Sequence, residues 1–121
     1  MNKDFFKTTK ILDGGMGQEL LARGMKSKGT LWSANALVEK KYHNLILNIH
    51  NDFIKSGSDV IVTTTFTTRR KRLRENGIED QFKYLNQKAC EIAQKAKLNN
   101  PNVKIAGGLP PQDLTLSLIH I

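Results

Sequence analysis

The chain has 121 residues, 39% hydrophobic and 25% charged, the balance of one modest globular domain and not of a disordered segment. Its longest apolar runs, such as residues 45–47 and 60–62, fall far short of the ~20 residues of a membrane helix, and residues 1–10 lack the apolar core of a secretory signal. One cysteine, Cys90, and no Asn-x-Ser/Thr site point to the reducing cytoplasm, while a net charge of +8 favours anionic partners, nucleic acid among them.

Lys10, Ile11, Leu12 and Asp13 are a short β-rich run that meets Gly14-Gly15, which predicts a strand over 10–13 emptying into a tight loop. Residues 18–22 are helical in character and stop at Gly24. Apolar residues at Tyr42, Leu45, Ile46, Ile49 and Phe53, closed by Gly57, have the spacing of one helix face. Residues 59–65 are dense in Val, Ile and Thr, with an apolar centre that predicts a strand buried on both faces.

A short basic helix is expected over 68–74, broken at Asn76-Gly77. A longer one follows over 80–97, its inner stripe formed by Phe82, Leu85, Ala89, Ile92, Ala93 and Ala96. Residues 103–106 form a third strand that runs into Gly107-Gly108-Leu109-Pro110-Pro111. Strands alternating with helices make an α/β fold with a parallel sheet. Ligands in such folds sit at the carboxyl ends of the strands, which is where Asp13-Gly14-Gly15, Thr63 to Thr65 and Gly107-Gly108 fall.

Four ordered segments carry a more specific signal. Ile11-Leu12-Asp13-Gly14-Gly15-Met16-Gly17, Leu31-Trp32-Ser33-Ala34, the run from Asp52-Phe53-Ile54 to Gly57-Ser58-Asp59-Val60-Ile61, and Ala106-Gly107-Gly108-Leu109-Pro110-Pro111 together resemble the homocysteine S-methyltransferase family over about residues 10–115. The resemblance implies a (β/α)8 TIM barrel in which zinc, held by three cysteines from late strands, binds the thiol of homocysteine. Zinc would remove the thiol proton, and the sulfur would take a methyl group from an activated donor in one displacement, giving methionine.

By the same resemblance Asp13 accepts the amino group of homocysteine, Gly14 leaves its backbone open to the substrate, and Ser33 and Thr63 line the same pocket. A carboxylate suits an α-ammonium, a cation with several donors. Read locally, Asp13 is instead a helix cap, Gly14-Gly15 a turn needing positive φ, and Thr64 and Thr65 strand formers. Thr64 stands where many members have Asn and Gly108 where many have Ser, which leaves the donor open among S-methylmethionine, S-adenosylmethionine, betaine and methylfolate.

Only three strands are legible, so the expected architecture is a truncated piece, the N-terminal three βα units of the barrel over residues 1–115. Residues 116–121 resemble a translated sequencing adapter and are expected to be a non-native tail. The zinc cysteines would then lie beyond this chain, and the chain alone would be inactive.

The rival reading is a small basic protein that binds RNA or another polyanion through residues 69–74, four arginines and a lysine among them. No aromatic residues interleave with them, so a solvated helix face is the simpler account. His43 and His50, seven apart on one predicted helix, are too widely spaced for the usual helical ligand pair and are taken as ordinary helix residues. Cys90, beside the inner stripe of the long helix, is taken as a small packing residue.

Overall fold

The computed structural model describes residues 3–111; the expected tail at 116–121 lies outside them. After a 3-10 turn at Lys3–Lys7, helix α1 spans Met16–Ala22, a 3-10 turn at Trp32–Ala34 leads into α2, Asn35–Val38, and Lys40–Tyr42 leads into α3, His43–Lys55. Strand β1 is Val60–Val62; α4, Arg70–Glu75, and α5, Phe82–Asn99, follow; strand β2 is Lys104–Ala106.

Helix α3 forms where the apolar spacing places it, and Ile46 and Ile49 are fully buried. It ends in a Schellman closure: Ser58 N–H donates to Phe53 O and Gly57 N–H to Ile54 O, both at 3.0 Å, with Gly57 at φ 118, a conformation open to glycine at little cost. Helix α5 buries Leu85, Ala89, Ile92, Ala93 and Ala96, nearly the whole predicted stripe. Its small alanines Ala93 and Ala96 pack with Ile61 and Val103, and α5 lies against α3 and β2. One cluster joins Leu20, Leu37, Ile46, Ile49, Leu73, Leu85 and Ile92; a second, under the sheet, joins Ile61, Ala93, Ala96 and Val103.

Strands β1 and β2 pair in parallel, Val60 with Lys104, Ile61 with Ile105 and Val62 with Ala106. The strand predicted over 10–13 is reduced to one parallel bridge, Leu12 with Val60. Its ladder begins normally, with Val60 N–H to Ile11 O at 3.2 Å and Asp13 N–H to Val60 O at 3.0 Å. The next donor, Val62 N–H, then goes to the Asp13 side chain at 3.0 Å instead of to the backbone, and the ladder stops. The strand predicted over 59–65 is shorter for a related reason: Thr65 N–H turns back onto Thr63 O at 2.8 Å, so the threonines form the loop after β1.

Cys90 corrects the packing expectation. It is exposed, one position round the helix from the buried Ala89, a rotation of about 100° away from the core face. His50 is fully buried in α3, and neither ring nitrogen has a hydrogen-bond partner. His43, on the same face, sets Nε2 2.7 Å from Leu37 O.

Candidate functional site

A cavity of about 280 Å³ opens at the carboxyl end of the sheet, and Asp13, Gly14, Ser33, Thr63 and Thr64 line it together with Trp32. The four residues singled out from the sequence, Asp13, Gly14, Ser33 and Thr63, thus share one cavity although 50 positions separate the first from the last.

Asp13 does not cap α1. The cap position is Gly15, and no side chain closes that end. The Asp13 carboxylate is half-buried and accepts the Val62 amide through Oδ2. Burial pushes its pKa above the ordinary 3.8, with the hydrogen bonds from Val62 and from its own amide pulling the other way. A carboxylate so placed is an incompletely solvated anion that gains from a cationic partner.

Neither glycine of the loop takes the positive φ expected of a turn: Gly15 sits at φ −74, and the positive-φ glycines are Gly24, Gly29, Gly57 and Gly77. Gly14 is required for a different reason. A Cβ there would lie 2.9 Å from Cε1 of Phe53 on α3, so the Asp13 loop rests directly on that ring.

Ser33 is buried, its Oγ 3.3 Å from Thr67 Oγ1. Thr63 and Thr65 join the ends of β1 and β2: Gly108 N–H donates to Thr63 Oγ1 at 3.1 Å, Thr65 Oγ1 donates to Gly108 O at 2.8 Å, and the two hydroxyls lie 3.0 Å apart. Gly108 suits this junction because a Cβ there would meet Thr65 Oγ1 at 3.0 Å. Thr65 is therefore a tie between strand ends and Thr64 a lining residue, neither a strand former. Thr64 Oγ1 is buried with no hydrogen-bond partner.

Sequence reasoning did not single out the aromatic part of the wall. Trp32, 40% exposed, and Phe66, 50% exposed, both line the cavity. Trp32 has φ 52, a left-handed conformation that is a true outlier for a bulky side chain. Its indole lies on Gly17, where a Cβ would fall 1.8 Å from Nε1. Trp32 is the chain's single tryptophan and precedes Ser33, a signal that marks the position but not its conformation.

The basic run is drawn into the fold. Arg69 is buried and donates to Pro111 O at 2.7 Å, and Arg70 lies 4.2 Å from the centre of the Phe82 ring. Arg72 donates to Thr30 O at 2.6 Å, and Arg74 forms a two-pronged pair with Glu79 at 2.8 and 3.0 Å. The simple solvated face expected for 69–74 is thus corrected at Arg69 and Arg72, which donate to the carbonyls of Pro111 and Thr30. Among the described residues no group of three or more His, Cys, Asp or Glu is placed to hold a metal, so they do not fit the zinc centre implied above.

A cavity at the carboxyl ends of parallel strands, lined by one half-buried carboxylate and by aromatic side chains, lies where α/β proteins hold small ligands. Residues 10–119 match the family described as Homocysteine S-methyltransferase, and the chain belongs to that family. It is 33% identical over 109 residues to the homocysteine S-methyltransferase of Escherichia coli strain K12, covering 84% of this chain and 34% of that protein. It is 32% identical over 97 residues to the S-methylmethionine–homocysteine S-methyltransferase BHMT2 of Rattus norvegicus, covering 80% and 24%.

The crystal structure of the E. coli homocysteine methyltransferase MmuM in its metallated form superposes with a TM-score of 0.73 at 33% identity, over 88% of this chain and 40% of that one. The chain spans about a quarter to a third of the length of the curated relatives it matches.

Proposed function

We propose that this chain forms the amino-acid-binding side of a homocysteine S-methyltransferase, as three successive βα units of a (β/α)8 barrel. The observation that carries the reading is the convergence of Asp13, Gly14, Ser33 and Thr63 on one cavity. In this reading the α-ammonium of homocysteine pairs with the Asp13 carboxylate, whose buried charge it neutralises. Gly14, seated on the Phe53 ring, leaves its backbone open to the substrate, while Ser33 and Thr63 offer hydroxyl oxygens to the same cavity. The amino acid is thereby oriented, so that its thiol faces a methyl donor in line for displacement.

Zinc is the metal this reading calls for in the complete enzyme; no ligand to it is assigned among the described residues, which bind and orient the substrate. A free thiol substrate and a single exposed cysteine suit a reducing cytoplasm. We expect the chain by itself to bind homocysteine without turning it over.

The test is calorimetric titration of the purified chain with L-homocysteine and with 4-mercaptobutyrate, which has the same thiol arm and carboxylate but no amine. Saturable binding of the amino acid alone supports the reading. Equal binding of both, or of neither, overturns it.

A further inference from the structure

Thr67 lies behind the cavity wall, 3% exposed, and its hydroxyl is the centre of three contacts. Oγ1 donates to Leu31 O at 2.6 Å, accepts from Ala34 N–H at 3.0 Å, and stands 3.3 Å from Ser33 Oγ. These contacts bracket Trp32, the residue held at φ 52. A bulky side chain keeps such a backbone state only when its surroundings impose it.

The clip is itself anchored. The neighbouring Thr68 hydroxyl donates to Asn86 Oδ1 on α5 at 2.7 Å, and Asn86 Nδ2 returns a bond to Thr68 O at 3.2 Å.

We propose that Thr67 is a positioning residue of the amino-acid pocket, clipping the 31–34 turn to the loop after β1 so that the Trp32 indole and the Ser33 hydroxyl are presented to the ligand. The inference rests on the homocysteine reading for the ligand and on the hydrogen bonds for the clip.

Proton direction gives it chemical content. A threonine hydroxyl has one proton, and Thr67 gives its proton to Leu31 O at 2.6 Å; the longer 3.3 Å contact with Ser33 is therefore made by the Ser33 proton. That leaves the Ser33 lone pairs as acceptors. Ser33 and Asp13 then both present acceptors, a pairing matched to an ammonium group and mismatched to an anion.

Trp32 is the only tryptophan, so its fluorescence reads the turn directly. The experiment compares the wild-type chain with Thr67→Val, which keeps the shape and removes the hydroxyl, and Thr67→Ser, which keeps the hydroxyl. Acrylamide quenching of Trp32 and affinity for L-homocysteine are measured on each. Thr67→Val should increase quenching and weaken binding by about tenfold, the effect of unpairing buried polar groups, and Thr67→Ser should restore both.

Unchanged quenching in Thr67→Val overturns the clip; increased quenching with unchanged affinity overturns its role in the pocket. If the wild type itself fails to bind homocysteine, the functional reading falls, while the quenching comparison still decides the clip. Should Thr67→Val not fold, Thr67→Ser decides, since wild-type quenching there supports the hydroxyl as the anchor and an exposed indole overturns it.

Discussion

The Asp13 carboxylate ends the first strand by taking the amide of Val62 at 3.0 Å, so the group proposed to meet substrate also terminates the sheet ladder. The two roles separate by substitution. Asparagine keeps an oxygen for Val62 and removes the buried charge; alanine removes both. Asp13→Asn should leave urea stability within about 0.5 kcal/mol while lowering homocysteine affinity ten- to a hundredfold, roughly the worth of a charged hydrogen bond. Asp13→Ala should also cost about 1–3 kcal/mol of stability. Equal stability losses in the two variants would show that the carboxylate is structural alone.

The raised Asp13 pKa sets a pH dependence for binding with a definite sign. The ammonium pairs with the ionised carboxylate, so affinity should fall on acidification, beginning above the ordinary value of 3.8. For the ligand-free protein the sign is opposite, because the folded state holds the proton more tightly than the unfolded one. Titrations of wild type and Asp13→Asn across mildly acid pH check this: the decline belongs to the wild type only.

His50 makes the fold acid-sensitive. Burial lowers its pKa from 6.5 to about 4, so between those values the unfolded chain takes up a proton that the folded one refuses. Stability is complete above 6.5, is lost as pH falls toward 4, and loses no more below it, for a total of roughly 3 kcal/mol. Replacing the ring with leucine should flatten this part of the pH profile. The readout is the difference in urea midpoint between pH 7.5 and 4.5, and an equal difference in wild type and His50→Leu would refute the assignment.

Gly17 in α1 is a position where alanine should harm despite its helix propensity. Alanine normally gains up to about 1 kcal/mol over glycine inside a helix, yet a Cβ at 17 would stand 1.8 Å from Trp32 Nε1. The indole must leave its seat, and overpacking of this kind costs about 1–3 kcal/mol. Gly17→Ala should therefore lower thermal stability and shift tryptophan emission to the red. A more stable variant with unchanged emission would mean the indole does not sit there.

Gly14 and Phe53 should be energetically coupled. With the ring 2.9 Å from a Cβ at 14, Gly14→Ala should destabilise the wild type and do so less in a Phe53→Leu background, with a coupling of about 1 kcal/mol. Additive effects in the double-mutant cycle would place the cost of alanine elsewhere.

Much of this was legible in the chain. Helices α3 and α5 follow from apolar spacing that repeats within a few residues, and Gly57 stops α3 where a left-handed residue is needed. Asp13, Ser33 and Thr63 were singled out by the family resemblance, and the fold brings them to one cavity. Their local readings were not reliable: the cap expected of Asp13 and the positive φ expected around Gly14 are both absent, since each was inferred from its nearest neighbours and the actual partners, Val62 and Phe53, lie 49 and 39 positions away.

The sequence by itself determined the alternation of strands and helices, the family, and a set of residues that the fold brings to one cavity, because periodicity, turn chemistry and ordered motifs are all properties of short stretches. Tertiary structure alone decided that Thr67 meets Leu31 across 36 positions, that Trp32 is held at positive φ on Gly17, and that His50 is enclosed without a partner. Those are long-range contacts, and they come into being only when the chain closes and a hydroxyl, a ring or an amide is brought beside a group that no local pattern pairs with it.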